Sequence, residues 1–169
     1  MAMDPKQFRN ALGSFATGVT IITTREAQGG YIGVTANSFN SLSLDPPLVL
    51  WSIGKKAFSF SAFTESKHFA VHVLAADQQV LSDRFARPST EKFDGVEFEH
   101  GLGDVPLFPG CAAVFECTTE QYVDGGDHVI MIGRVERFSV DTTALPLMFF
   151  RGRYAIPEAG GIFSPPVTV

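Results

Sequence analysis

The 169-residue chain has two cysteines, one tryptophan and no apolar run approaching the ~20 residues that a membrane-spanning helix requires. Cys111 and Cys117 stand too far apart for a Cys-x-x-Cys redox pair and do not match a zinc knuckle, so they read as buried thiols of a strand and no metal is expected. Charge of one sign never accumulates: 13 Lys plus Arg are scattered among 18 Asp plus Glu, for a net charge of -5. That distribution excludes the basic footprint of a nucleic-acid binder. Gly-x-Gly-x-x-Gly, the Walker loop and the Gly-x-Ser-x-Gly elbow are absent, which removes the main support for Rossmann, nucleotide hydrolase and serine hydrolase readings. The start, Met1-Ala2-Met3-Asp4-Pro5, has no basic segment followed by a hydrophobic one, so the expectation is a cytoplasmic protein without membrane or nucleic-acid partners.

Phenylalanine is plentiful instead, with sixteen residues in a chain that is 45% apolar. Phe adds bulk without a polar handle, which suits a core. A chain of this length buries roughly 70% of its unfolded surface, enough for one domain over residues 1–169.

A helix is predicted from Pro5 to about Phe15, with Asp4 as N-cap, Gln7 completing a capping box, and Phe8, Ala11, Leu12 and Phe15 as its inward face. The β-branched run Val19–Thr24 reads as a strand, and Gln28-Gly29-Gly30 as the turn into a second, Tyr31 to about Asn37. Asp45-Pro46-Pro47 interrupts regular structure before a strand at 48–53. A short helix at 57–64 with Phe58, Phe60 and Phe63 precedes a strand at 69–74. Asp77 is the expected cap of a helix through Arg84, with Val80, Leu81 and Phe85 inward. Residues 87–110 form a long excursion anchored by Phe93, Phe98 and Leu107, and long loops often carry function. Two long strands, 112–123 and 129–140, flank the turn Asp124-Gly125-Gly126-Asp127, and a last strand covers 148–154. About seven strands with few short helices, and no strand-helix rhythm, predict a mainly β fold: a small antiparallel barrel, closed or partly closed to hide its edges.

The chemistry concentrates at Gly33–Ser43, where Thr35, Asn37, Ser38, Ser41 and Ser43 crowd the end of a strand. Two readings are open there. The hydroxyls satisfy their own backbone, or, with Ser52, Lys55 and Lys56 arriving after the next strand, they bind an anion or a polar ring. His128 follows a glycine turn and has the chemistry to donate to a carboxamide or manage a proton. His68 and His72 would converge on a metal only on a helix, and their β-branched surroundings argue for a strand; His100, beside Glu97 and Glu99, reads as solvated.

Taken together, several segments resemble the short-chain flavin reductases of the FMN-binding split-barrel class, the reductase components of two-component flavin-dependent monooxygenases. They are Phe15–Ile21, Gly33–Phe39, Ser43–Leu48, Phe69–Leu74, Phe85-Ala86, Gly126-Asp127-His128, Gly133-Arg134-Val135 and Gly152-Arg153-Tyr154. Each is weakly specific, whereas their order and spacing carry the likeness across nearly the whole chain. The resemblance implies a six-stranded antiparallel split β-barrel with a few peripheral helices, assembled as a homodimer with flavin in a groove near the subunit interface. It implies hydride transfer from NADH or NADPH to FMN or FAD, with reduced flavin passed to a separate oxygenase. By the same resemblance Thr35, Ala36, Asn37 and Ser38 border the flavin ring, and Ser41, Leu42, Ser52, Ile53, Lys55 and Ser59 hold its ribityl chain and phosphate. Phe85 borders the flavin as well, while His128, the catalytic candidate, and Tyr154 meet the nicotinamide. Arg84, Arg87 and Arg153 are candidates for reading a 2'-phosphate. A flavin-bound reductase of another substrate, such as a corrinoid or a ferric chelate, and a non-catalytic flavin-binding protein remain open alternatives.

Overall fold

The structure, a computed structural model, describes residues 3–158. Asp4 caps α1 (Pro5–Leu12) by accepting a 2.9 Å bond from the Lys6 N–H, with Pro5 pre-set for the first turn. Among the described residues no return bond from Gln7 completes the box, and the helix stops at Gly13. Its apolar face is not buried as predicted. Phe8 is 49%, Leu12 58% and Phe15 78% exposed, because no element among the described residues packs over them.

The strands that follow are β1 (Thr17–Gly18), β2 (Thr20–Arg25), β3 (Tyr31–Ala36), β4 (Asn40–Leu44) and β5 (Pro47–Gly54). Then come α2 (Phe60–Glu65), β6 (His68–Val73), α3 (Gln79–Ala86), β7 (Glu99–His100), β8 (Pro106–Leu107), β9 (Ala113–Gly125), β10 (His128–Val140), β11 (Met148–Phe150) and β12 (Arg153–Ala155). Seven of them form one antiparallel sheet in the order β3-β2-β6-β9-β10-β5-β4, against the six strands implied by the resemblance. Its two edge strands, β3 and β4, are consecutive in the chain and joined by residues 37–39 alone, so the sheet curls until its edges meet at that corner. No ladder joins β3 to β4 among the described residues, which leaves the barrel split along one side.

Alternation along β2 gives each face its own core. Ile22 points inward with Trp51, Phe63, Phe69, Val71 and Met131. Ile21 points outward and joins Leu74, Phe85, Phe108 and Leu147 beneath α3 and the excursion. The excursion is anchored as predicted: the Phe93 ring meets Phe85 edge-on at 5.0 Å and Phe98 at 5.6 Å. Phe85 in turn fills the space left by Gly33, where a Cβ would lie 2.5 Å from its ring.

Other sequence expectations change as well. The hydroxyl-rich stretch continues into a strand of its own, β4, because Asn40–Leu44 finds hydrogen-bond partners along β5. Asp77 does not cap α3, which begins two residues later, and Val80 lies on its solvent face, 81% exposed. The terminal strand is a hairpin, since Arg151 (φ 47°) and Gly152 (φ 77°) form a two-residue turn whose positive angles match the twist of the flanking strands. Cys111 precedes β9 instead of lying within a strand. Both thiols are buried, which pushes them up to about 11 for Cys111 and about 12 for Cys117, so neither is a nucleophile at neutral pH.

Two outcomes follow for stability. Gly33→Ala is expected to cost about 1–3 kcal/mol in urea unfolding, since the new methyl meets a fully buried ring, whereas Gly18→Ala, with no atom within 4 Å, stays within ~0.5 kcal/mol. His72 is fully buried, donates from Nδ1 to the Ile21 carbonyl at 3.0 Å, and leaves Nε2 unpaired; burial lowers it to about 4 from an ordinary 6.5. The unfolded chain therefore takes up a proton on this ring where the folded chain does not. Stability falls as pH drops from about 6.5 to 4, by up to ~3 kcal/mol at 1.36 kcal/mol per pH unit. Urea midpoints of His72→Asn measured across that window are expected to fall less steeply than wild type; parallel curves would refute the assignment.

Candidate functional site

The corner at residues 37–39 is held by the hydroxyls that were candidates for a ligand. Ser38 Oγ accepts from the Ser52 N–H at 2.9 Å and lies 3.1 Å from the Ser52 carbonyl, to which it donates. Thr35 Oγ1 donates to the Ser82 carbonyl at 2.6 Å, and the Ala36 carbonyl accepts from Thr20 Oγ1 at 2.6 Å. The Thr35 and Ser38 hydroxyls thus serve the fold in this structure. The Asn37 side chain is exposed, and Ser41 and Leu42 are exposed at a bulge of β4. Alternation on β5 sends Ile53 into the barrel core, so only its backbone can meet a ligand.

At the far end of β5 lies a polar cluster. Gly54 is the register partner of His128, and the Lys55 N–H donates to the Asp127 carbonyl at 2.9 Å. His128 Nδ1 lies 2.7 Å from Asp127 Oδ1, a contact that requires the Nδ1–H tautomer or the imidazolium; in the neutral ring Nε2 is an acceptor, on a side chain about half exposed and next to Gly54. That bond holds the Asp127 carboxyl below the usual carboxylate range, and Lys55, 2.7 Å from Asp124, does the same there. The Lys55–Asp124 pair is exposed and screened by water, so Lys55 can exchange this partner for another anion.

A groove of 390 Å³ runs beside β3, between the N-terminal end of α2 and the start of the excursion. Ile32, Val34, Ala57 and Phe93 supply apolar wall, Ser59, Ser89 and Thr90 hydroxyls, and Arg87 and Lys92 positive charge. Lys92 escaped the sequence reading. Its ammonium donates to the Gly33 carbonyl at 3.0 Å and the Phe85 carbonyl at 2.9 Å, and burial lowers it from the ordinary lysine value. A lone lysine inside a loop leaves no pattern, and its anchor is 59 residues away; only the length of the excursion hinted at it. Phe85 does not line this groove with its ring, which is fully buried behind Gly33 and Phe93.

Tyr154 is placed elsewhere, on the side sheet β1-β11-β12, where Thr17, Phe149 and Tyr154 are successive register partners. Asn37, Thr17, Phe149, Arg9 and Arg151 border a second groove of 820 Å³ next to it. The Tyr154 hydroxyl bonds to Ser82 and Asp83 of α3, the helix that also holds Thr35, whereas the one side-chain hydrogen bond of His128 among the described residues goes to Asp127. Of the three arginines, Arg84 is engaged with the Glu91 and Asp94 carbonyls, Arg87 lines the first groove and Arg153 lies beside Tyr154. Apolar wall next to hydroxyls and two cations fits a ligand that joins a flat ring to an anionic tail.

A family profile described as "Flavin reductase like domain" matches residues 12–157. FMN reductase (NADH) SmoA of Agrobacterium fabrum is 48% identical over 149 residues, covering 88% of this chain and 84% of its own length. The reductase component of a flavin-dependent trigonelline monooxygenase of Acinetobacter baylyi is 45% identical over 90% of this chain and 49% of its own. The chain spans about half the length of that relative, and of a probable flavin reductase of Rhizobium meliloti. Among solved structures, the Streptomyces globisporus NADH:FAD oxidoreductase SgcE6, in complex with NAD and FAD fragments, superposes with a TM-score of 0.88 at 36% identity over 96% of this chain and 99% of its own.

The corner makes a prediction independent of any ligand. Ser38→Ala removes the acceptor of the Ser52 N–H and is expected to cost about 1–3 kcal/mol in urea unfolding, whereas Ser41→Ala, exposed on β4, stays within ~0.5 kcal/mol.

Proposed function

The chain belongs to the flavin reductase-like domain family, and on that premise we propose that it is an NAD(P)H:flavin oxidoreductase. It moves a hydride from NADH or NADPH to FMN or FAD, and the reduced flavin serves a separate flavin-dependent oxygenase. The observation that carries this reading is the match along nearly the whole chain to proteins named as NADH-dependent reductases of FMN and of FAD. The protein is read as one cytoplasmic domain that works as a homodimer, and the homodimer is supported by the apolar face of α1, which no other described element covers.

When bound, flavin supplies a ring that accepts a hydride and passes on two electrons. The chain's own part is to orient two partners, which for well-aligned reactants is worth up to about 7–11 kcal/mol. Asn37, Ser41, Leu42, Ser59 and the backbone around Ala36, Ser52 and Ile53 offer polar and apolar edges for the flavin. Arg87, Lys92 and an exchangeable Lys55 offer charge for its phosphate. Thr35 and Ser38 act from behind, by fixing the backbone of the corner. With Nδ1–H committed to Asp127, a neutral His128 presents Nε2 as an acceptor for the carboxamide N–H of nicotinamide. The family resemblance also assigns Tyr154, which stands on the side sheet apart from His128, to the nicotinamide. Hydride transfer itself needs no acid or base, so His128 binds and orients.

Absorbance decay of NADH and NADPH with added FMN, FAD or riboflavin tests the activity; oxidation that does not depend on flavin, or none at all, would refute it. His128→Ala is expected to raise KM for the nicotinamide dinucleotide about five- to tenfold, the scale of one lost hydrogen bond, with a smaller fall in kcat. A collapse of kcat at unchanged dinucleotide affinity would make His128 a proton donor instead.

A further inference from the structure

Tyr154 sits on the edge strand of the side sheet, its ring edge-on to Phe149 at 5.5 Å. Its hydroxyl lies 2.9 Å from Asp83 Oδ1 and 2.9 Å from Ser82 Oγ. A phenol has one proton, and a carboxylate can only accept; the proton therefore goes to Asp83, and Ser82 is the donor to Tyr154. Both bonds taken, the hydroxyl is committed to α3, and what remains for a ligand is the ring. Burial, with Asp83 as hydrogen-bond acceptor and neighbouring charge, also raises the phenol above its ordinary value, so it stays protonated.

Asp83 is the less expected member. Among the described residues it forms no ion pair, and the one side-chain bond its carboxylate accepts comes from the neutral Tyr154. Ser82 is fully buried, and its carbonyl accepts from Thr35 Oγ1 at 2.6 Å. One turn of α3 thus ties the end of β3, beside the corner, to the ring on β12. Phe150, Arg151, Arg153 and Tyr154 line one cleft on this side sheet, with the Arg151 guanidinium over the Phe150 ring, so aromatic surface and two cations border the place the reading gives to a nicotinamide dinucleotide.

We propose that Asp83, with Ser82, is a positioning residue for nicotinamide binding that acts through Tyr154 by fixing the direction of its ring. The inference rests on the flavin reductase reading. No bond of the substrate is made or broken by these residues; they restrict where the ring can stand.

The test is a double-mutant cycle read by binding as well as turnover. NAD+, which has no hydride to deliver, is titrated calorimetrically into wild type, Asp83→Ala, Asp83→Asn, Tyr154→Phe and Asp83→Ala/Tyr154→Phe, with and without FMN, alongside steady-state KM and kcat. Asp83→Ala and Tyr154→Phe are each expected to weaken NAD+ about fivefold and raise KM for the reduced dinucleotide equally, with a smaller effect on kcat. The double variant is expected to be no worse than Tyr154→Phe alone, and Asp83→Asn, whose amide oxygen still accepts the phenolic proton, recovers most of the affinity. Multiplying effects in the double variant, or an Asp83→Ala that loses melting temperature with unchanged NAD+ affinity, would overturn the proposal and leave a plain structural tether. Wild type that binds NAD+ with the same Asp83–Tyr154 coupling yet shows no flavin-dependent oxidation would sink the reductase reading alone; wild type that does not bind NAD+ would sink the proposal.

Discussion

Three residues, Asn37 to Phe39, connect the two outermost strands of a seven-stranded sheet, and the rest of the molecule follows from that short link. In a flat sheet, six gaps of about 4.8 Å would put β3 and β4 some 29 Å apart, whereas the four steps from Ala36 to Asn40 reach at most about 14 Å. The sheet must therefore curl until its edges touch at one corner. Curling makes an inside, which Trp51, Phe63 and Phe69 fill, and leaves the outside of β2 to be covered separately. The second core under α3 and the excursion is that cover. Gly33 permits it, because only a residue without a side chain lets the Phe85 ring approach the strand so closely.

The same constraint decides which polar groups are left for chemistry. A tight corner exposes backbone donors and acceptors, and Ser38 satisfies two of them on Ser52. Thr35 and Thr20 fasten the end of β3 in the same manner. The hydroxyls that look most like a binding site are thus engaged in holding it. What faces the grooves instead is apolar wall, the Ser59 hydroxyl and the cations Arg87 and Lys92. Lys92 belongs to both tasks, since two of its three protons pin the excursion to carbonyls of β3 and α3 and one is left over.

How much of this could be read beforehand depends on the range of each interaction. β-Branched runs and alternating apolar residues announce β2, β5, β6 and the long β9–β10 hairpin, because strand propensity and turn chemistry are local. β4 was missed since Asn-Ser-Leu-Ser-Leu has little intrinsic preference for a strand and gains its pairing from β5. The apolar stripe of α1 was visible, but periodicity states only that a face wants cover, never that this chain supplies it. For Thr35 and Ser38 the plain reading, hydroxyls that satisfy the backbone, describes their bonds, whereas the resemblance had set them against the flavin ring; the one statement concerns where their protons go and the other what their backbone surrounds. Phe85 keeps its ring in the core, and it is the next residue, Ala86, that lines the groove. The Asp83–Tyr154 and Lys92–Gly33 bonds join residues 71 and 59 positions apart, and no single-sequence pattern encodes such pairs.

The arrangement bears on how firmly a flavin would be held under the proposed activity. A site whose best-placed hydroxyls are already bonded contributes shape and charge in place of many directed bonds. Charge from Arg87 and Lys55 lies near solvent, where screening weakens it. Apolar contact and a few exchangeable cations would then give the proposed flavin an affinity that is moderate and tolerant of the ring's oxidation state, since neither term depends on a particular ring nitrogen being protonated. Such tolerance suits a reductase whose product must leave for another protein, and it comes from the same corner that closes the barrel: a tighter set of ligand bonds would require hydroxyls that the corner cannot release without opening.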